Sequence, residues 1–124
     1  MSRSVVLVDA VRSPFGKSGS LYAEVRADDL MIRVLRGLIE RNPKLPLNEI
    51  DDVAIAAATQ TGDQGMNIGR SVALLAGLPN TVPGYSIARW CAGAMTAGPT
   101  ISAAIAMGAY ALAHARGVRP EGLL

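Results

Sequence analysis

Apolar residues along this chain gather into short runs and one clear stripe, separated by polar stretches that carry glycine and proline. Val5-Val6-Leu7-Val8 is a β-branched run of strand length and predicts a buried strand. Pro14, Gly16, Gly19 and several serines then make a long loop through about Val25. Asp28 and Asp29 open a helix, one as its N-cap and both favourable at the positive end of its dipole. Its apolar positions Leu30, Met31, Val34, Leu35, Leu38 and Ile39 follow helical spacing and form a single face for a core. Asn42-Pro43 ends that helix.

Residues 50–57 read as a polar turn feeding a second buried strand. A polar loop over 59–67, with Gly62 and Gly65, leads to a helix that ends near Gly77. A third strand is expected from about Thr81 to Ile87, followed by Cys91 at a strand-to-helix junction and an alanine-rich helix toward Met107. Residues 111–115 make a fourth strand. Alternating helices and apolar strands point to an α/β layered architecture, as one domain over 1–124.

Charge sharpens this picture by where it is missing. The net charge is only +2, the basic residues are scattered and aromatics are few, which sets nucleic acid aside as a partner. Residues 66–115 hold just two charges, Arg70 and Arg89. So long an uncharged stretch exceeds what a small domain hides, so this half is expected to meet a partner surface or a membrane. Residues 91–115 are long enough to span, but Thr96, Pro99, Thr100, Ser102 and the many small residues favour a soluble helix plus strand. No membrane is expected. Arg70 and Arg89 are expected to fix a loop or an interface. The lone cysteine fits a reducing compartment, and the start reaches Asp9 too soon for a signal core, so the expected location is cytoplasmic.

Cys91 is the position with chemical character. At the first turn of a helix a thiol faces unpaired backbone N–H groups and the positive dipole end, which favour the attacking thiolate. The small residues Ala92, Gly93 and Ala94 leave room for an extended substrate, and nearby N–H groups are placed to hold an oxyanion. On spacing alone, a cysteine buried in a tight Ala/Gly helix is the commoner outcome. His114 falls in the expected fourth strand and reads as a surface or strand-end side chain with no catalytic partner. No metal ligands are grouped and no bound cofactor is expected. Trp90 reads as packing.

Several blocks together resemble the thiolase family. Val8-Asp9-Ala10-Val11-Arg12-Ser13-Pro14-Phe15-Gly16 is similar to its opening strand and loop, and Glu49-Ile50-Asp51-Asp52-Val53 to the approach to its second strand. Gln64-Gly65-Met66-Asn67-Ile68-Gly69-Arg70, Ala76-Gly77-Leu78-Pro79, Val82-Pro83-Gly84 and Arg89-Trp90-Cys91 follow in family order. The resemblance implies a partial amino-terminal domain of the layered α-β-α thiolase fold, a mixed sheet flanked by helices. It implies that Cys91 accepts an acyl group from a coenzyme A thioester. A second acyl-CoA then adds its α-carbon, or free coenzyme A drives the reverse cleavage, within fatty-acid and acyl-CoA metabolism. Residues binding coenzyme A are not assigned. The activating histidine, the second cysteine and most coenzyme A contacts of the family lie in parts beyond these blocks.

The chain departs from the family at Ala88 and Gly93, where asparagine and serine are usual. Pro99 stands inside the helix after Cys91, where a proline costs roughly 3 kcal/mol. Arg116 and Arg119 replace a glycine and an acidic residue. These features lead us to expect a truncated amino-terminal domain, inactive as an isolated chain. Three readings follow: an enzyme part completed by a second polypeptide, a non-catalytic module that pairs with full-length thiolases, or a small membrane protein. In the first two, a homo- or hetero-oligomer forms through residues 66–115.

Overall fold

The computed structural model describes residues 3–118. Among them are three helices, α1 (Ala27–Arg41), α2 (Ile68–Leu75) and α3 (Gly93–Ala106). Three strands, β1 (Asp52–Ala57), β2 (Tyr85–Ile87) and β3 (Ala113–Val118), form one sheet in the order β2-β1-β3. Both pairings are parallel, with Ile55 opposite Ser86 on one side and Arg116 on the other. The mixed sheet expected from the family therefore has no antiparallel member among the described strands. Arg119 lies outside the described residues.

Central position explains why β1 is apolar on both faces and buried throughout. Val53, Ile55 and Ala57 join α1 and α2 through Met31, Leu35, Ile68 and Val72. Ala54, on the opposite face, meets Ala97 and Ile101 of α3. The result is three layers, α1 and α2 on one side of the sheet and α3 on the other. The predicted stripe of α1 holds at Met31, Leu35 and Leu38, with Ile32 added and Leu30, Val34 and Ile39 half-buried. The helix begins one residue earlier than expected, and Asp28 is not its cap. The carboxylate of Asp63, from the loop before α2, instead accepts from the Ala27 N–H at 2.6 Å, while Asp28 pairs with Arg26 at 2.7 Å.

Two strand expectations change. Residues 81–84 do not join β2, because their polar groups are spent elsewhere. The Arg70 guanidinium donates to the carbonyls of Asn80 (2.9 Å) and Val82, and Pro83 has no N–H to offer a ladder. Gly84 also lies against the backbone of Gly69, where an added Cβ would sit 2.7 Å from the Gly69 carbonyl carbon. Residues 5–8, expected as a buried strand, form no strand and lie outside the sheet. β1 has no free edge for them, and they pair with neither β2 nor β3. Val6, Leu7 and Val8 stand 76%, 86% and 70% exposed. The segment is held at its ends, where the backbone N–H of Arg3 donates to the Ala106 carbonyl (2.9 Å) and the Asp9 carboxylate accepts from the side chains of Arg41 (3.1 Å) and Asn42 (2.8 Å). Between it, α3 and β3 lies a cavity of about 350 Å³.

Acidic residues set the register of β3. Asp51 Oδ2 accepts from the backbone N–H groups of Ala111 (2.6 Å) and Leu112 (3.1 Å), and the Asp51 N–H donates back to the Leu112 carbonyl (2.8 Å). Buried Asp52 accepts from the Tyr110 hydroxyl at 2.7 Å. That carboxylate, helped by burial, pushes the Tyr110 phenol up to about 12. Burial first, then the Asp52 charge, raises Tyr85 as well.

Candidate active site

The chain leaves the carboxyl end of β2 at Ile87 and turns sharply into α3. The turn is a 3-10 segment, Trp90–Ala92, closed by the Ala92 N–H on the Arg89 carbonyl at 3.0 Å and the Gly93 N–H on the Trp90 carbonyl. Trp90 has φ of +46°, in the left-handed region that a bulky residue rarely occupies. Cys91 sits at the crest of this turn and is exposed. Exposure removes the reading of Cys91 as a packed core thiol. The sulfur's residue precedes the N-cap, Ala92, so it stands ahead of the first turn of α3 and not within it. The N–H groups of Ala92 and Gly93 are taken by the turn itself, so those two do not serve an oxyanion.

Two contacts hold the turn, and a third group braces the strand that leads into it. Gly93 presses on β1 so closely that a Cβ there would lie 2.6 Å from the Ala56 Cβ. The serine usual in the family at this position is therefore excluded by the approach of α3 to the sheet, unless the two separate. Arg89 donates through Nη1 to Thr96 Oγ1 at 2.9 Å, and the Thr96 hydroxyl donates to the Ala92 carbonyl at 3.0 Å. Upstream, Asn67 caps α2 and ties it to β2: its Nδ2 donates to the Gly84 carbonyl (2.9 Å), and its Oδ1 accepts from the Ser86 hydroxyl (3.2 Å). Ser86 Oγ in turn accepts from the Gly69 N–H at 3.2 Å. Both arginines of the uncharged half thus fix loops, as expected.

His114 is not at the surface. It is 8% exposed, second in β3 and opposite Val53. It also lies at the start of the far edge strand, whereas Cys91 follows the end of β2 on the other edge. The fold does not bring the two together. Trp90 is 76% exposed and so is not a packing residue within this chain. Among the described residues, no three of His, Cys, Asp and Glu converge as metal ligands, and no helix is long and apolar enough to cross a membrane. Sequence reasoning missed Asn67, Ser86 and Thr96. The asparagine before an apolar helix was the available signal for the first of these.

The thiolase N-terminal domain, as a family, matches residues 5–119. The chain belongs to the thiolase family. It is 45% identical over 118 residues to the β-ketoadipyl-CoA thiolase of Pseudomonas knackmussii, covering 95% of this chain and 29% of that thiolase. The 3-ketoacyl-CoA thiolase of Acinetobacter baumannii (strain ATCC 17978) is 48% identical over 105 residues, 84% of this chain and 27% of that protein. The crystal structure of the Bacillus anthracis acetyl-CoA acetyltransferase superposes with a TM-score of 0.79 at 34% identity, over 86% of this chain and 27% of that one. This thiolase sequence therefore spans under a third of the relatives it matches. The fold is that of a partial thiolase amino-terminal domain, layered α-β-α about a small parallel sheet.

Proposed function

We propose that Cys91 is the acyl-accepting nucleophile of thiolase-type acyl transfer between coenzyme A thioesters. The observation that carries this reading is the exposed thiol on a tightly turned segment at the carboxyl end of β2, in a chain of this family. Sγ attacks the thioester carbonyl, the carbonyl–sulfur bond to coenzyme A breaks, and coenzyme A leaves as the thiol with the cysteine proton. The α-carbon of a second acyl-CoA, after losing a proton, then attacks the cysteinyl thioester and releases Cys91. With the only cysteine spent as nucleophile and the only histidine at the opposite sheet edge, the bases for these proton transfers come from residues beyond these 124. The chain alone is therefore read as acylated without turnover, and the proposed compartment is the cytoplasm. Incubation with acetyl-CoA followed by intact-mass and peptide analysis is expected to find one acetyl group on Cys91 and none in Cys91→Ser. An unmodified Cys91 at millimolar acetyl-CoA would sink the reading.

A second reading is favoured by the surface. Met66, Trp90, Met95 and Met107 are 96%, 76%, 79% and 86% exposed, all within residues 66–115, where Arg70 and Arg89 are the two charges. These exposed apolar side chains suit a non-catalytic module that pairs with a second copy or a full-length thiolase. Co-elution with a full-length thiolase without acylation of Cys91 would select this alternative.

A further inference from the structure

We propose that Arg89 and Thr96 form a clasp that positions the Cys91 sulfur, an inference resting on the reading of Cys91 as nucleophile. The left-handed backbone at Trp90 is unfavourable by roughly 1–2 kcal/mol for an L-residue, so other contacts must hold it. Packing on the outer side of the turn does not, since Trp90 and Cys91 both face outward. The polar side does. The Thr96 hydroxyl accepts from the Arg89 guanidinium (2.9 Å) and donates to the Ala92 carbonyl (3.0 Å). One hydroxyl thereby links the residues on either side of the Trp90-Cys91 pair. A helix threonine bonded to the carbonyl four residues back is ordinary. The guanidinium arriving from before the turn is not, and it closes a ring around the segment that carries the thiol. With Gly93 seated on Ala56 beneath, the backbone of Cys91 is fixed from two sides while its sulfur stays open.

Thr96→Val keeps the shape and removes both hydrogen bonds; Thr96→Ser keeps both; Arg89→Met removes only the guanidinium. Two rates are measured on the full chain by intact mass: acyl transfer from acetyl-CoA, and alkylation of Cys91 by iodoacetamide from pH 6 to 10. Thr96→Val and Arg89→Met are expected to slow acyl transfer about tenfold, with the double variant no worse than either single one. The same two variants are expected to change the alkylation rate about threefold, while Thr96→Ser stays within about twofold of the unsubstituted chain. Acyl transfer unchanged in a cooperatively folded Thr96→Val chain overturns the clasp and leaves the nucleophile reading intact. If the unsubstituted chain is never acylated, the nucleophile reading fails, and alkylation decides the clasp: a response to Thr96→Val upholds it, none overturns it. Should Thr96→Val not fold, exposed Arg89→Met carries the same comparison.

Discussion

Asp51 shows how a single surface carboxylate can organise a distant strand. The N–H groups of Ala111 and then Leu112 hold its carboxyl below the ordinary carboxylate range. A depressed carboxyl stabilises the fold above its unfolded value of about 3.9 and loses that contribution as pH falls through the folded value. The unsubstituted chain is accordingly expected to be more stable than Asp51→Asn at pH 5 and 7, with the gap closing below about pH 4. Urea unfolding across that range checks it, and a gap that persists unchanged at pH 3 would refute the role of the charge. Asp28, lowered first by its hydrogen bond from Arg26, acts in the same direction. At this scale the sequence marked Cys91 but not Thr96. A threonine in a helix carries no signal for a partner seven residues back, because that contact exists only once Trp90 adopts its left-handed turn.

Contact between α3 and β1 depends on an absent side chain. Since a Cβ at position 93 would meet Ala56 at 2.6 Å, Gly93→Ser is expected to destabilise the chain by about 1–3 kcal/mol. Ala56→Gly in the same chain should recover most of that loss. Thermal unfolding of the single and double variants tests the pair, and additive losses would show that this contact is not what sets the spacing. Elements with strong periodicity were legible from sequence: α1 and the doubly buried β1 follow from local pattern. The short β2 was not, because its expected first half is captured by the Arg70 guanidinium. Residues 5–8 misled for a related reason. An apolar run states what it prefers to bury, not which partner it finds: residues 5–8 stay outside the sheet although β2 and β3 each keep an outer edge.

Across the whole molecule, the lack of charge in residues 66–115 leaves apolar surface in water. Only Gly93, Ala97 and Ile101 of α3 are fully buried, while Met95 and Met107 point outward. Sedimentation velocity is expected to show concentration-dependent association, reduced by Met66→Asn with Met95→Lys. Asparagine also suits the φ of +51° at position 66. A single species at all concentrations would count against the interface. The deficit of charge was visible in the sequence, and with it the expectation of a surface that meets a partner. Its distribution over a turn, a helix face and a loop required the fold.

The strand order β2-β1-β3 also carries a consequence in time. Both neighbours of β1 come later in the chain, and Asp51 is bonded to Leu112, 61 residues further on. At about 5–20 residues per second on a ribosome, β1 waits roughly 3 to 12 s for its second neighbour to be synthesised. Through that interval the most apolar strand of the chain has an unfilled edge. Nascent-chain survival in a cell is thus set by what shelters residues 52–57 during elongation, and slow codons between positions 58 and 112 would lengthen the exposure.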